Sequence, residues 1–297
     1  MRRFRNGHVT QQDIDRLNSR YIENDDVELP PLNELRFACS NNQERNAISN
    51  YVFLKHLEKT HKKSNDTSIS CPCHTVIIKG TMRYKSKRGP NLRTSTQNKI
   101  YDDCGDSDVK NGEGKKMDPA LKFYHGVPLM INTNKRIKER LANGTCCYGM
   151  YIVLRKNCKF KPECWEGYMV NSIQASEVAY IICKREKKKQ DDPDEYFKLT
   201  ASTGPVTVTF QDILKVQLSG ISMEQFPLNS NIATTCHKLQ GKTLVHLIVN
   251  SFDYGKKNWV YVVLSRIKEL NGLILKQKLD AARDFSCDPV LLRWKKK

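Results

Sequence analysis

The sequence predicts an α/β fold in which a small β-rich barrel interrupts a mostly parallel sheet. From Ile232 onward, short apolar runs alternate with helical segments, which is the pattern of a parallel sheet covered by helices. Between residues 119 and 225, several short β-rich runs follow one another, as in a small antiparallel barrel. The 50 Lys and Arg outnumber the 32 Asp and Glu, and the net charge of +18 favours a polyanionic partner, most often nucleic acid. The alternative is a basic protein whose lysines are simply solvated.

Residues 1–60 predict the first part of the parallel sheet. Thr10 and Asp13 have the spacing of a capping box, and Ile14, Leu17 and Tyr21 then fall on one helical face. A strand is expected over residues 35–39, ending in a polar capping loop. The helix after that loop is expected to bury the stripe formed by Ala47, Tyr51 and Leu54.

Residues 61–118 are charged and aperiodic, and we expect a partly disordered surface insertion there. Residues 76–79 are expected to form an isolated strand within it. Cys71, Cys73 and His74, with Cys104 further along, suggest a zinc-dependent interaction module. However, structural zinc sites use paired ligand sets, and C-x-C-H is a poor half-site. We therefore expect no metal.

Residues 119–225 predict the inserted β-rich barrel and its connections. An Asn143-Gly144 turn is expected between the first two of its strands. Lys184–Lys189 and Asp191–Glu195 predict a charged hairpin tip or loop, where the lysines are a nuclear localisation patch, a DNA contact or simply solvated. The expected strands are Val127–Ile131, Tyr148–Leu154, Ala179–Cys183, Val206–Phe210 and Ile213–Val216.

Residues 226–297 predict the remainder of the parallel sheet. The expected strands are Ile232–Thr235, Val245–Asn250 and Gly272–Leu275, and the expected helices are His237–Lys242 and Asn258–Ser265.

Two dense motifs lie in this last segment. Phe226-Pro227-Leu228 precedes the run ATTCHKLQGKTL of residues 233–244, and the run NWVYVVLSR of residues 258–266 follows. They resemble motifs V and VI of the Pif-type branch of superfamily-one DNA helicases, including the forms carried by Helitron-like transposons. Residues 35–46 resemble motif IV, although Ser49 stands where Asn is common. Residues 126–130 and 143–145 resemble the entry into a Src-homology-3-like barrel. The resemblance implies a RecA-like (P-loop NTPase-like) parallel sheet that carries such a barrel as an insertion.

The same resemblance assigns roles to individual residues. Arg266 would be the arginine finger of ATP hydrolysis, and Gln240 and Gly241 would form the motif V loop between ATP and DNA. Thr234, His237 and Lys238 match positions near the phosphate backbone of the bound single-stranded DNA. The alternative for Arg266 is a surface arginine that caps the C-terminus of its helix, and His237 taken alone would be a structural histidine.

Gly241-Lys242-Thr243 has the ending of a Walker A loop, but Cys236 stands where that loop requires its first glycine. We find no other Walker A sequence and no apolar strand ending in Asp-Glu to hold Mg²⁺. The resemblance therefore implies that ATP and Mg²⁺ are held by a missing N-terminal RecA-like domain, in an enzyme moving 5′-to-3′ and acting in DNA repair or recombination. A truncated gene model, a transposon relic or a non-enzymatic nucleic-acid-binding fragment are the alternatives.

The placement of the cysteines and the lack of targeting segments in the sequence indicate an intracellular or nuclear setting. Cys39, Cys146, Cys183 and Cys236 lie in or beside apolar runs, where a free cysteine behaves as a small hydrophobic residue. The first residues lack the pattern of a signal peptide, and no apolar run has the length of a membrane span. We expect a reduced intracellular or nuclear compartment and no membrane partner.

Overall fold

The computed structural model describes residues 4, 8–24, 26–31, 34–63, 75–84, 92–105, 108–134, 136–187, 191–210, 217–252 and 259–285, with only the backbone of 61–63, 236 and 237. Its helices are α1 (Gln11–Asn18), α2 (Asn42–Lys63), α3 (Thr94–Asp103), α4 (Cys236–Leu239), α5 (Trp259–Leu264) and α6 (Ala281–Asp284). Its strands are β1 (Phe37–Cys39), β2 (Val76–Lys79), β3 (Thr81–Tyr84), β4 (Val109–Asn111), β5 (Ala120–Phe123), β6 (Val127–Ile131), β7 (Cys146–Leu154), β8 (Lys161–Trp165), β9 (Tyr168–Gln174), β10 (Val178–Arg185), β11 (Tyr196–Leu199), β12 (Ser202–Thr209), β13 (Gln217–Gln225), β14 (Leu228–Ser230), β15 (Ala233–Thr235), β16 (Leu247–Val249) and β17 (Leu273–Leu275).

The chain forms two compact units. We call residues 1–49 and 232–297 the parallel-sheet unit, and residues 50–231 the β-rich unit. The first division falls within α2. The four-part domain division drawn from the sequence stays a prediction, although contacts within the chain group most of residues 61–118 with the strands that follow.

A four-stranded sheet in the order β15-β1-β16-β17 organises the parallel-sheet unit, and all of its described pairings are parallel. Strands β1, β16 and β17 are buried at every residue. Continuous burial is typical of parallel strands, because helices cover both faces of the sheet. The predicted parallel sheet is confirmed, and its strands lie within or close to the predicted ranges.

Helix α1 begins as the sequence predicts. The Thr10 hydroxyl accepts a hydrogen bond from the Asp13 amide, and the Asp13 carboxylate accepts one from the Thr10 amide. Ile14 is 2% exposed and packs into a core with Val263 of α5 and Leu247 of β16. This cap therefore fixes the point from which the helix covers the sheet.

The buried face of α2 differs from the prediction. Tyr51 is 57% exposed, whereas Val52, Phe53 and Leu57 are almost completely buried. Both sets of residues have helical spacing, and they differ by a rotation of the helix about its axis. Periodicity alone could not fix this rotation, because apolar side chains occupy consecutive positions from 51 to 54.

Three sheets form the β-rich unit, in the orders β11-β10-β7-β6-β14, β3-β13-β12-β4 and β5-β2-β9-β8. Strands β6, β7, β10 and β12 match four predicted strands, and Asn143-Gly144 forms the predicted turn with a positive φ at Gly144. The fifth predicted strand, at residues 213–216, lies outside the described residues. Closure of these sheets into a Src-homology-3-like barrel stays a prediction.

Strand β2 is not the isolated strand that the sequence suggested. It pairs antiparallel with β5 and parallel with β9, and Val76, Ile77 and Ile78 are buried. The described parts of the supposed insertion also contribute the buried residues Ile100 and Val109. The prediction was wrong here because the partner strands lie more than 40 residues away in sequence, as the pairing of Val76 with Phe123 and Asn171 shows.

Buried amide side chains connect the sheets of the β-rich unit. Gln225, fully buried at the end of β13, donates from its Nε2 to the carbonyls of Ile78 (3.2 Å), Asp118 (3.0 Å) and Pro119 (3.4 Å). Its Oε1 accepts from the Phe226 amide at 2.9 Å. One side chain thus links β13 to β2 and to the segment before β5.

Asn229 on β14 continues this network. Its Oδ1 accepts a hydrogen bond from Asn132 Nδ2 at 3.0 Å. The side-chain Nδ2 atoms of Asn229 and Asn132 both donate to the Lys116 carbonyl, at 3.2 Å and 3.0 Å respectively. A buried carbonyl without a hydrogen-bond donor is desolvated with no compensating interaction, which lowers the stability of the fold. These side-chain amides therefore stabilise the connections between the strands of the β-rich unit.

We predict that Gln225→Leu lowers the free energy of unfolding by about 3 kcal/mol, because it leaves buried carbonyls unsatisfied without changing side-chain volume much. Urea denaturation followed by circular dichroism measures the change. Gln217→Leu, at an exposed position of the same strand, is the matched control. Equal midpoints for the two variants would contradict the role given to Gln225.

Candidate functional site

The candidate site lies at the carboxyl edge of the parallel sheet. Because β1, β15 and β16 run parallel, their carboxyl ends meet at one edge, which is where open α/β sheets bind ligands. Polar residues and a short helix follow these strands. They are Ser40 and Asn41 after β1, α4 after β15, and Asn250 and Ser251 after β16.

Glu44, in the first turn of α2, connects two of these loops. Its Oε2 accepts from the Ser40 amide (2.7 Å) and hydroxyl (2.8 Å), while Oε1 accepts from Asn250 Nδ2 and from the Ser251 hydroxyl (3.4 Å). The Asn41 side chain caps α2 by accepting from the Glu44 amide at 2.8 Å. The carboxylate thus fixes the positions of the loops that follow β1 and β16.

These contacts also set the protonation of Glu44. Burial by itself raises the pKa of the carboxyl group, but the hydrogen bonds from Asn250, Ser40 and Ser251 favour the charged form and bring the pKa below its ordinary value. Glu44 is therefore an ionised acceptor at neutral pH.

The residues of the motif V run leave the sheet at β15. Thr234 is 5% exposed, so its side chain lies inside the unit rather than on its surface. His237 belongs to α4 and is described only by its backbone, whereas Lys238 is exposed on the same helix. Gln240 and Gly241 follow α4 and are both exposed. Gly241 has a φ of +82°, a left-handed conformation that glycine adopts without strain.

Arg266 is the second residue after α5, and its side chain turns back onto that helix. Its Nη2 donates to the Ser265 hydroxyl at 2.6 Å, and its Nε donates to the Val262 carbonyl at 3.0 Å. These are the contacts of an arginine that caps the C-terminus of its helix, the alternative reading of this residue.

Backbone hydrogen bonds join the two motifs. The Leu244 amide donates to the Arg266 carbonyl at 2.7 Å, and the Lys268 amide donates to the Leu244 carbonyl at 2.9 Å. Leu239 of α4 is buried in the same core as Val263 and Leu264 of α5. The loop that contains Gln240 and Gly241 is thereby held beside the end of α5.

The lack of a side chain at Gly272 permits the close chain packing at this junction. A Cβ at this position would lie 1.8 Å from the Val245 carbonyl oxygen, which is too close for any side chain. Glycine therefore lets the chain before β17 pass close to the residue that follows Leu244.

No group of three potential metal ligands occurs within the described ranges. Cys71, Cys73 and His74 lie outside those ranges, and Cys104 is buried at the end of α3. Among the residues whose side chains are described, Cys147, Cys158, Cys164 and Cys183 carry thiols rather than disulfides.

In the portion of the chain that the structure describes, none of the helices combines the length and the apolar character that crossing a bilayer requires.

The sequence alone did not identify Glu44, Asn250 and Ser251 as parts of this edge. A signal for them was present, because Glu44 falls three residues after Asn41 and the pair Asn250-Ser251 directly follows an apolar strand. Their contact, across more than 200 residues, required the fold.

We predict that Glu44→Gln destabilises the protein by roughly 1 kcal/mol at neutral pH, since a half-buried carboxylate loses charge-assisted hydrogen bonds but remains partly screened by solvent. Because the folded pKa lies below the ordinary value of 4.5, this stability is present above that pH and disappears as the pH falls through the folded pKa. Melting temperatures measured from pH 7 down to pH 3 should therefore converge for parent and variant. Glu269→Gln, at an exposed position, is the control. A gap that is constant over the whole pH range would contradict the assignment.

No family model matches this chain, and no curated protein matches it. Solved structures do. The Pif1 helicase from Bacteroides in complex with ADP-AlF3 and ssDNA has a TM-score of 0.56 and 18% identity, covering 99% of this chain and 52% of that one. For Bacteroides Pif1 bound to ssDNA, the TM-score is 0.55 and the identity is 18%, and the match covers 99% of this chain and 51% of that one. For the Pif1 helicase from Candida albicans, the TM-score is 0.56 and the identity is 15%, and the match covers 99% of this chain and 56% of that one.

The chain thus spans about half the length of the helicase structures that it matches. At this level of identity the likeness concerns the fold. The parallel sheet of this protein is RecA-like, within a fold similar to that of Pif1 helicases.

Proposed function

We propose that this chain is the C-terminal, second RecA-like half of an ATP-dependent 5′-to-3′ DNA helicase. In this proposal it binds single-stranded DNA and supplies an arginine finger to ATP held by a separate N-terminal RecA-like domain. The observation that carries the proposal is the backbone junction at Leu244. It holds the loop of Gln240 and Gly241 beside Arg266.

The DNA contact is proposed for the segment around α4. Lys238 is exposed there and supplies a positive charge for a phosphate, and the backbone of His237 lies on the same short helix. Thr234 is buried in β15, so its part is to position the start of α4 rather than to meet DNA directly. The net charge of +18 supports a polyanionic ligand.

Arg266 is proposed to act on the transferring phosphoryl group. A guanidinium meets two phosphate oxygens at once and stays charged, which suits the charge that develops during transfer. To reach a nucleotide it must leave the Ser265 hydroxyl and the Val262 carbonyl, both of which water can then solvate. Gln240 and Gly241 lie on the neighbouring loop, where a change at the phosphate can be transmitted to α4.

A non-enzymatic nucleic-acid-binding protein is the second candidate. It is favoured by the contacts of Arg266 with its own helix, which need no nucleotide to explain them. Both candidates require DNA binding, and they differ in whether Arg266 affects ATP hydrolysis.

We predict weak binding of single-stranded DNA with strong salt dependence and little sequence preference, because phosphate contacts release counterions. Lys238→Ala should lower the affinity about fivefold and reduce the slope of log K against log salt by about 0.7, the value of one phosphate contact. Fluorescence anisotropy at several salt concentrations measures both. Lys59→Ala removes the same charge from α2 and is the control. An affinity independent of salt would contradict the proposal.

We predict that Arg266→Lys lowers kcat for ATP hydrolysis by about 10³-fold when the chain is fused to the N-terminal half of a Pif1 helicase. An ammonium is a point charge and cannot bridge two phosphoryl oxygens. DNA affinity without nucleotide should stay within twofold of the parent fusion, roughly the resolution of such assays. The chain alone, tested in parallel, should not hydrolyse ATP. If Arg266→Lys keeps the parent kcat, Arg266 is a helix cap and the non-enzymatic candidate stands.

A further inference from the structure

The β-rich unit carries an exposed aromatic surface on the β11-β10-β7 part of its five-stranded sheet. We call this surface the tyrosine face. It consists of Tyr148, Tyr151, Tyr180, Tyr196, Lys184 and Lys198.

The strand register places these side chains in rows. Tyr196 lies opposite Lys184, which lies opposite Tyr148 on the next strand. In the adjacent row, Lys198 and Tyr151 flank β10 on either side. Residues that oppose each other in a sheet point to the same face, so one surface presents all of them.

The other face of the same strands is the core side. Ile181 and Cys183 of β10 and Cys147 of β7 alternate with the tyrosine-face residues and are at most 1% exposed. By contrast, Tyr196 is 56% exposed and Tyr151 is 46% exposed. Two large aromatic rings are therefore exposed on one sheet surface, and the Tyr151 ring also packs beside His125, with 5.3 Å between the ring centroids.

The charges around this face are unevenly distributed. Lys184 and Lys187 both pair with Asp194, and Arg185 pairs with Glu195, so the hairpin between β10 and β11 largely neutralises its own cations. Lys198 instead lies over the Tyr180 ring, 4.7 Å from its centroid.

Positive charge is supplied by residues 155–161, which form the loop after β7 and the first residue of β8 and contain four cations and no carboxylate. Arg155, Lys156, Lys159 and Lys161 are exposed, and none of them forms an ion pair with another residue that the structure describes. The loop begins beside the tyrosine face, because Val153 pairs with Tyr180 and the Arg155 amide donates to the Glu177 carbonyl at 2.9 Å.

We propose that the tyrosine face binds single-stranded nucleic acid, with bases stacked on Tyr151 and Tyr196 and phosphates along the basic loop. Stacking on a flat protein surface requires unpaired bases, since a duplex hides the faces of its bases. Exposed aromatic rings beside uncompensated cations are the combination that such strands recognise. This site is separate from the carboxyl edge of the parallel sheet and does not depend on the function proposed for that edge.

The test compares the full chain on an oligothymidylate and on an abasic strand of the same length, in the parent and in the Lys238→Ala background. Tyr151→Ala and Tyr196→Ala should each weaken thymidylate binding about tenfold, the effect of losing one stacked base, and leave abasic binding unchanged. Tyr196→Phe keeps the ring and should restore the parent affinity. Tyr84→Ala, at a 40% exposed tyrosine of the β3-β13-β12-β4 sheet, is the matched control and should bind as the parent does.

Parent-like binding by both alanine variants, or equal affinity of the parent for abasic strand and thymidylate, would overturn the proposal. Equal binding of polyglutamate would also overturn it, in favour of an acidic protein partner. An oligouridylate separates RNA from DNA as the source of the bases. If Lys238→Ala weakens thymidylate binding but still binds thymidylate more tightly than the abasic strand, the lost affinity belongs to the carboxyl edge. That result supports a tyrosine face that acts independently of Lys238.

Discussion

The backbone hydrogen bonds of Leu244 are the interaction on which the candidate site depends. They hold Leu244 between Arg266 and Lys268, so that two segments with motif-like sequences become neighbours. Gly272 contributes by omitting a side chain that would collide with the Val245 carbonyl. The geometry of the junction between the two motif segments thus rests on main-chain constraints.

The two units hold their connections in different ways. In the parallel-sheet unit, apolar strands are buried on both faces, and Glu44 fixes the loops at one edge through hydrogen bonds to polar side chains and one amide. In the β-rich unit, the side-chain amides of Gln225 and Asn229 donate hydrogen bonds to backbone carbonyls outside the strand pairing. In both units a buried polar group that lost its hydrogen-bond partner would destabilise the fold. These hydrogen bonds therefore favour one conformation of the connected segments. The proposed ligand contacts are exposed residues such as Lys238 and Tyr196.

Sequence patterns predicted the parallel sheet well because each of its strands is a short apolar run with clear limits. The capping box at Thr10 was equally local and is confirmed. Prediction failed where the deciding contact is distant. The pairing partners of β2 lie far along the chain, and the choice between Tyr51 and Phe53 as the buried side of α2 depends on what packs against the helix. For the site, the motif runs predict roles for Lys238, Gln240, Gly241 and Arg266 that stay predictions, and the contact of Glu44 with Asn250 emerged only from the fold.

Hydrogen–deuterium exchange with and without an oligothymidylate tests the central claim most directly, because it reports where a strand lies without assuming any single residue's role. If the carboxyl edge binds DNA, amides of α4 and of residues 250–252 should exchange more slowly in the complex. Amides at the opposite, amino edge of the same sheet, such as those of residues 34–36, should be unaffected. Unchanged exchange throughout the carboxyl edge, at a concentration where binding is saturated, would contradict the account.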